Sequence, residues 1–158
     1  MLELSMPHIH EKIDFTVEVF IVHNNKVLLR MHDKYHIWCS VGGHIELDED
    51  PIQAAHREVK EEVGLDIVLV GKDIPIFDND DFKVLMPPVY LGRHRTSQTH
   101  EHVVFVYFAT SATDQITDPL SEHERAETRW VTKEELATMD LVPNMRFYAQ
   151  EALKELSK

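Results

Sequence analysis

Residues 13–22 carry hydrophobic side chains at alternating positions. Every second residue of this segment is apolar, which is typical of one face of a β-strand over residues 13–22. These residues are Ile13, Phe15, Val17, Val19 and Ile21. The two asparagines that follow tolerate a positive φ and predict a turn. A second apolar run comes directly after them, so the two segments are expected to form a hairpin.

From residue 51 the hydrophobic pattern changes to the period of a helix. Asp50 suits the N-cap, Pro51 suits the first helical position, and Gln53 stands where it completes a capping box. Gly64 suits the left-handed residue that ends a helix. The apolar residues between them recur at helical spacing, so we predict a helix over residues 51–63 with one buried face.

The remaining hydrophobic runs predict further strands and helices. Strands are expected over Asp66–Val70, Val84–Leu91, Val103–Ala109 and Thr128–Val131, and helices over Lys133–Thr138 and from Met145 to Leu156. The Pro-Pro pair inside the second of these strands favours a sheet edge. No repeat or linker interrupts the chain. The sequence therefore predicts one α/β domain over residues 1–158, with helices packed on a mixed β-sheet.

The composition narrows the classes of partner. Among 158 residues, 16 are Lys or Arg and 28 are Asp or Glu, which gives a formal net charge of −12. A long nucleic acid is a poor partner for such a surface. No apolar run is long enough to cross a bilayer, and no signal peptide is evident, so no membrane partner is expected. The single cysteine, Cys39, indicates a reducing compartment, and we expect the cytoplasm.

Three carboxylates share one face of the predicted helix. Glu58, Glu61 and Glu62 are spaced i, i+3, i+4, so they lie within about a quarter-turn of one another. Like charges at this spacing repel, and a bound cation would offset that repulsion. Oxygen ligands suit a hard cation such as Mg²⁺ or Mn²⁺, whose remaining ligands are often substrate phosphates. The helix therefore indicates a metal-dependent reaction on a phosphorylated small molecule.

The segment around these glutamates resembles the Nudix box, the signature of the Nudix hydrolases. The match covers Gly43–Leu65, and the positions that carry it are Gly43, Glu49, Arg57, Glu58, Val59, Glu61, Glu62, Gly64 and Leu65. The resemblance implies an α/β/α sandwich in which the box forms a loop, a helix and a loop. It also implies Mg²⁺-dependent hydrolysis of a diphosphate linkage in a nucleoside diphosphate derivative or a similar small compound, with Mn²⁺ as a substitute. Homodimers are common in the family.

The resemblance also assigns roles to residues of this chain. It implies a metal site formed by Gly42 through its carbonyl, Glu58, Glu61 and Glu62, and catalytic roles for Glu49, Arg57, Glu61 and Glu62. Arg57 is expected to pair with Glu49 and hold the loop against the helix. Outside the box, we predict that Arg93, Arg95, His100 and His102 lie at the substrate mouth, and that Glu124 supplies a further carboxylate.

Two other functions are compatible with the same fold. A Nudix-fold module that senses a nucleotide without turnover is one alternative, although such modules commonly lose box carboxylates and this chain has all of them. An enzyme similar to isopentenyl diphosphate isomerase is the other, because the stretch from Trp38 to His44 resembles part of that family. The catalytic cysteine of that family would fall at Gly42 and not at Cys39, and the hydrolase is therefore favoured.

Overall fold

A mixed β-sheet of eight strands forms the centre of the protein. The computed structural model describes residues 12–32, 34–75, 77–117, 119 and 125–158. Within these residues the strands are β1 Ile13–His23, β2 Lys26–His32, β3 Ile37–Cys39, β4 Val41–His44, β5 Ile67–Val70, β6 Tyr90–Arg95, β7 Glu101–Ser111 and β8 Thr128–Val131. The helices are α1 Pro51–Val63, α2 Lys133–Thr138 and α3 Pro143–Leu156. No helix of the described residues is long and apolar enough to cross a membrane.

The longest strands, β1 and β7, pair in parallel at the middle of the sheet. Their register runs from Ile13 opposite Glu101 to Val22 opposite Thr110. The other pairings between the named strands are antiparallel. On its other edge β1 pairs first with β4 and then with β2. The N-terminal half of β1 therefore lies between β7 and the strand that leads into the box.

The hairpin and the box helix form where the sequence predicts them. Asn24 and Asn25 have φ angles of 45° and 61° and join β1 to β2. Asp50 caps α1 by accepting hydrogen bonds from the backbone of Ile52 and Gln53, and Gln53 completes the capping box. Gly64 ends the helix in the left-handed conformation, with φ 70°. These features depend on local sequence alone, and all of them are confirmed.

Two hydrophobic cores make the protein a three-layer sandwich. One face of the sheet packs on the apolar side of α1, through residues that include Val17, Val19 and Val59. The opposite face packs on α2 and α3, through residues that include Phe20 and Phe108. Alternate residues of β1 therefore belong to opposite cores, as a strand period of two requires. The predicted α/β/α arrangement with a mixed sheet is confirmed.

One predicted strand is displaced along the chain. The strand expected over 84–91 is wrong in its position, because the observed strand β6 covers Tyr90–Arg95. Proline has no backbone N–H to donate, so the segment through Pro87 and Pro88 does not join the ladder. The residues from Gly92 to Arg95, although polar, pair with the first half of β7 at the sheet edge. Strand β7 also starts earlier than the predicted 103 and includes His102.

Candidate active site

Arg57 holds the carboxylates of the box in place. Its Nε and Nη2 donate to the Glu49 carboxylate at 3.0 and 2.6 Å, so the predicted ion pair is present as a two-pronged contact. Its Nη1 donates to Glu58 and Glu61, each at 3.0 Å. Its Nη2 also donates to the carbonyl of His44 at 2.9 Å. A planar guanidinium with five donors suits this role because it can bind several oxygens at fixed angles.

Glu49 lies in the loop that precedes α1 and is held by the loop backbone as well as by Arg57. Glu49 Oε1 accepts a hydrogen bond from the backbone N–H of Glu46 at 2.9 Å, so its carboxylate faces inward. The Arg57 guanidinium holds the pKa of Glu49 below its ordinary value. Glu49 therefore stays ionised and fixes the loop against the helix.

Glu62 is held from the sheet side of the helix. Its Oε2 accepts a hydrogen bond from the Gly42 backbone at 3.1 Å, and its Oε1 lies 3.2 Å from the Arg30 guanidinium. Arg30 belongs to β2, and Gly42 belongs to β4. The carboxylate thus connects the box helix to two strands and is fixed by charge and by hydrogen bonding.

The backbone approaches Glu58 closely at Gly43. A Cβ atom at this position would lie 2.4 Å from Glu58 Oε1, so a larger residue would have to displace the carboxylate. Burial raises the pKa of Glu58, and the neighbouring Arg57 opposes that effect. Glu61 is the more accessible of the group, with 54% of its side chain exposed. Glu58 and Glu62 are therefore mostly shielded from solvent, whereas Glu61 is half exposed.

We predict that Arg57→Ala lowers turnover about 10- to 100-fold, because the change releases Glu49, Glu58 and Glu61 at once. The measurement is kcat/KM for a diphosphate substrate, together with the free energy of unfolding. Lys60→Ala is the matched control: Lys60 is exposed on the same helix and pairs with Asp66 at 2.9 Å. That variant is expected to keep wild-type turnover. Wild-type kcat/KM in Arg57→Ala would contradict the positioning role of Arg57.

The residues predicted at the substrate mouth do not form one surface. Arg93 and Arg95 are exposed, and each lies 3.5 Å from the Glu101 carboxylate. His100 and His102 are instead buried, with 4% and 8% of their surface exposed. Glu124 lies outside the described residues. A role of Arg93 and Arg95 in substrate binding stays a prediction.

Sequence reasoning missed one charged residue of this site and two on the opposite face of the sheet. Arg30 was not singled out, although it contacts Glu62. Asp14 of β1 is fully buried and Glu18 of the same strand is partly buried, and burial raises the pKa of Glu18 to about 7. Polar residues on the second side of an otherwise apolar strand are the signal that could have found them. Asp14, Thr16 and Glu18 share that side and replace the core residues expected there.

Comparison with known proteins agrees with this geometry. The NUDIX domain family model matches residues 13–154, which spans the sheet, the box and α3. The chain belongs to the Nudix family. The matched range includes the segment Gly43–Leu65 and helix α1.

Solved structures of other Nudix proteins share the fold over nearly the whole chain. A NUDIX-family hydrolase from Clostridium perfringens is 35% identical, with a TM-score of 0.79, and the match covers 91% of this chain and 98% of that one. A MutT NUDIX hydrolase from Burkholderia pseudomallei is 21% identical, with a TM-score of 0.62 and coverage of 93% and 100%. The MutT protein from Methanosarcina mazei is 18% identical, with a TM-score of 0.65 and coverage of 96% and 100%. No functionally curated protein matches the chain significantly.

Family membership fixes the general reaction class. This Nudix protein is a pyrophosphohydrolase that acts on a small, pyrophosphate-containing substrate. Members of the family use divalent metal ions.

Proposed function

We propose that this protein hydrolyses the diphosphate linkage of a nucleoside diphosphate derivative, or a closely similar small compound, in a reaction that needs Mg²⁺ and accepts Mn²⁺. The observation that carries the proposal is that Arg57 binds the Glu58 and Glu61 carboxylates together on α1, while Glu62 of the same helix is held between Gly42 and Arg30. A multiply charged diphosphate would not approach these carboxylates unless a cation lay between them.

The donor set fits a hard divalent cation. Glu58, Glu61, Glu62 and the carbonyl of Gly42 would hold it, and all of them offer oxygen. Gly43 leaves space beside the Glu58 carboxylate that a side chain would fill. When bound, Mg²⁺ supplies charge neutralisation for the phosphate oxygens and lowers the pKa of an attacking water.

The chain's own residues then orient the reaction. Arg57 and Glu49 hold the loop so that the carboxylates keep their relative positions. Water attacks one phosphorus, the bond from that phosphorus to the bridging oxygen breaks, and a carboxylate of the Glu61–Glu62 pair accepts the proton from water. Glu61 suits contact with solvent because it is half exposed, whereas Glu62 is fixed between Gly42 and Arg30.

The test is release of phosphate products from a panel of nucleoside diphosphate derivatives. The panel includes a dinucleoside diphosphate, a nucleotide sugar and a nucleoside triphosphate, each assayed with Mg²⁺, with Mn²⁺ and with excess chelator. We expect turnover of at least one compound with either metal ion and none with chelator, because the carboxylates alone repel the substrate. Turnover that persists in chelator would contradict the metal-dependent mechanism. A folded protein that turns over no member would contradict the proposed substrate class.

A further inference from the structure

A second group of potential ligands lies on the sheet face that packs on α2 and α3. Asp14 of β1 is paired in register with His102 of β7, and Thr16 is paired with His44 of β4. His94 of β6 also lies opposite His102. Four neighbouring strands therefore bring a carboxylate and several imidazoles to one place, on the face opposite to α1.

Two of the rings lie beside the same carboxylate oxygen. Asp14 Oδ2 lies 3.4 Å from His44 Nε2 and 3.3 Å from His100 Nε2. The His102 ring centroid is 5.0 Å from that of His44 and 5.2 Å from that of His100. One ligand atom from each of Asp14, His100 and His102 lies within 4.8 Å of the other two. Asp14 is fully buried, and both of these histidines are buried as well.

The two distances from Asp14 Oδ2 match neighbouring atoms of a metal-ligand shell better than hydrogen bonds. Zn²⁺ bonds of about 2.0–2.2 Å place neighbouring atoms of a tetrahedral shell about 3.3–3.6 Å apart. A hydrogen bond between an imidazolium and a carboxylate is ordinarily about 2.7–2.9 Å. Both distances from Asp14 Oδ2 fall in the first range and outside the second.

The electrostatics of the group also suit a cation. A carboxylate with no exposed surface is costly unless positive charge lies beside it. A metal ion beside Asp14 would supply such charge, and imidazole nitrogens are common ligands for it.

We propose that Asp14, His44, His100 and His102 form a second metal site, separate from the box carboxylates and selective for a transition-metal ion such as Zn²⁺. Three imidazoles and one carboxylate are ligands that such ions prefer, whereas Mg²⁺ prefers oxygen alone. The two sites of this chain therefore differ in ligand chemistry and are expected to take different ions.

His44 connects the second site to the box. The ring of His44 faces Asp14, and its backbone carbonyl accepts a hydrogen bond from Arg57. An ion at the second site would tie β1, β4 and β7 together immediately before the box loop. Its role is structural positioning of that loop, and it goes beyond the proposed hydrolysis because it needs no substrate.

The test is metal binding by the full chain after removal of metal ions with chelator. Zn²⁺ is titrated by calorimetry in millimolar Mg²⁺, which saturates the box, and Co²⁺ is titrated under the same conditions with visible absorption as the readout. We expect one equivalent of Zn²⁺ to bind and to raise the melting temperature. Co²⁺ is expected to give the intense visible bands of a four-coordinate ion.

Matched variants locate the ion. His100→Gln and His102→Gln are each expected to weaken Zn²⁺ binding at least about 100-fold, since each removes one ligand. His56→Gln is the control, because His56 is exposed on α1 away from this group, and it should bind as the wild type does. Glu58→Gln should keep the Co²⁺ spectrum, which separates this site from the box.

Three outcomes would overturn the proposal. The first is wild-type protein that binds no Zn²⁺ in the presence of Mg²⁺, and the second is unchanged affinity in a folded His100→Gln or His102→Gln variant. The third is loss of the Co²⁺ spectrum in Glu58→Gln, which would place the ion in the box. If both histidine variants fail to fold, proton NMR of the wild-type Co²⁺ protein decides. Exchangeable ring N–H signals with large paramagnetic shifts support histidine ligands, and their absence refutes the site.

Discussion

Glu62→Gln is expected to lower kcat/KM for the diphosphate substrate about 100- to 1000-fold while leaving the protein folded. The loss follows because the amide removes a negative charge at the proposed metal site, where electrostatic stabilisation of the transition state is greatest. The shape of the side chain is kept, and its amide oxygen can still accept the hydrogen bond from Gly42 that Glu62 accepts at 3.1 Å. The measurement is steady-state turnover across a series of Mg²⁺ concentrations, with circular dichroism to verify folding.

The matched control for this variant is Glu155→Gln. Glu155 is exposed on α3, away from the box, and its substitution by Gln changes the net charge by the same amount. It should retain wild-type kcat/KM at every Mg²⁺ concentration. Near-wild-type turnover in Glu62→Gln would remove this carboxylate from the mechanism, and a loss of similar size in Glu155→Gln would indicate an effect of net charge alone.

Gly42→Ala is expected to lower the free energy of unfolding by about 3 kcal/mol or more. Gly42 has a φ of 154°, and a Cβ atom there would lie 2.0 Å from the carbonyl oxygen of Val17. That oxygen belongs to the backbone of β1, so relief of the clash would require β1 and β4 to separate. The measurement is urea-induced unfolding followed by circular dichroism.

Gly92→Ala provides the comparison for the same chemical change in a strand. A Cβ atom at Gly92 would meet only the Tyr148 hydroxyl at 3.6 Å, which is ordinary contact, so we expect a change within about 1 kcal/mol. The change in the free energy of unfolding of Gly43→Ala should differ from that of both variants, because the Cβ atom at position 43 would meet the movable end of the Glu58 side chain. Equal stability of Gly42→Ala and Gly92→Ala would contradict the close approach of β4 to β1.

The parts of the structure that follow from local sequence were predictable. Helix α1 could be bounded because Asp50, Gln53 and Gly64 act within a few residues of its ends. The ion pair between Arg57 and Glu49 could be expected because both residues belong to the same box. Strand β6 was misplaced because its pairing with β7, and not its own hydrophobic pattern, determines where it begins.

The histidine–aspartate group shows why the rest could not be predicted. His100 and His102 could be singled out from the sequence as candidate site residues, but nothing near them in sequence indicates Asp14. Their proximity depends on the parallel register that sets Asp14 opposite His102. A shift of that register by one residue would turn the two side chains to opposite faces of the sheet. The second site is therefore a product of strand pairing between distant segments.

The parallel pairing of β1 with β7 also sets the order in which the chain can fold. A side-chain contact between its far ends, from His23 to the carbonyl of Ser111, joins residues 88 apart in sequence. Closing so large a loop costs chain entropy before the contacts that repay it exist, and proteins rich in such pairings fold on slower timescales, in milliseconds to seconds. The hairpin of β1 and β2 and the capped helix α1 can form early from local contacts. The histidine–aspartate group exists only after β7 has docked, so the appearance of its metal affinity during refolding would report the arrival of the final central strand.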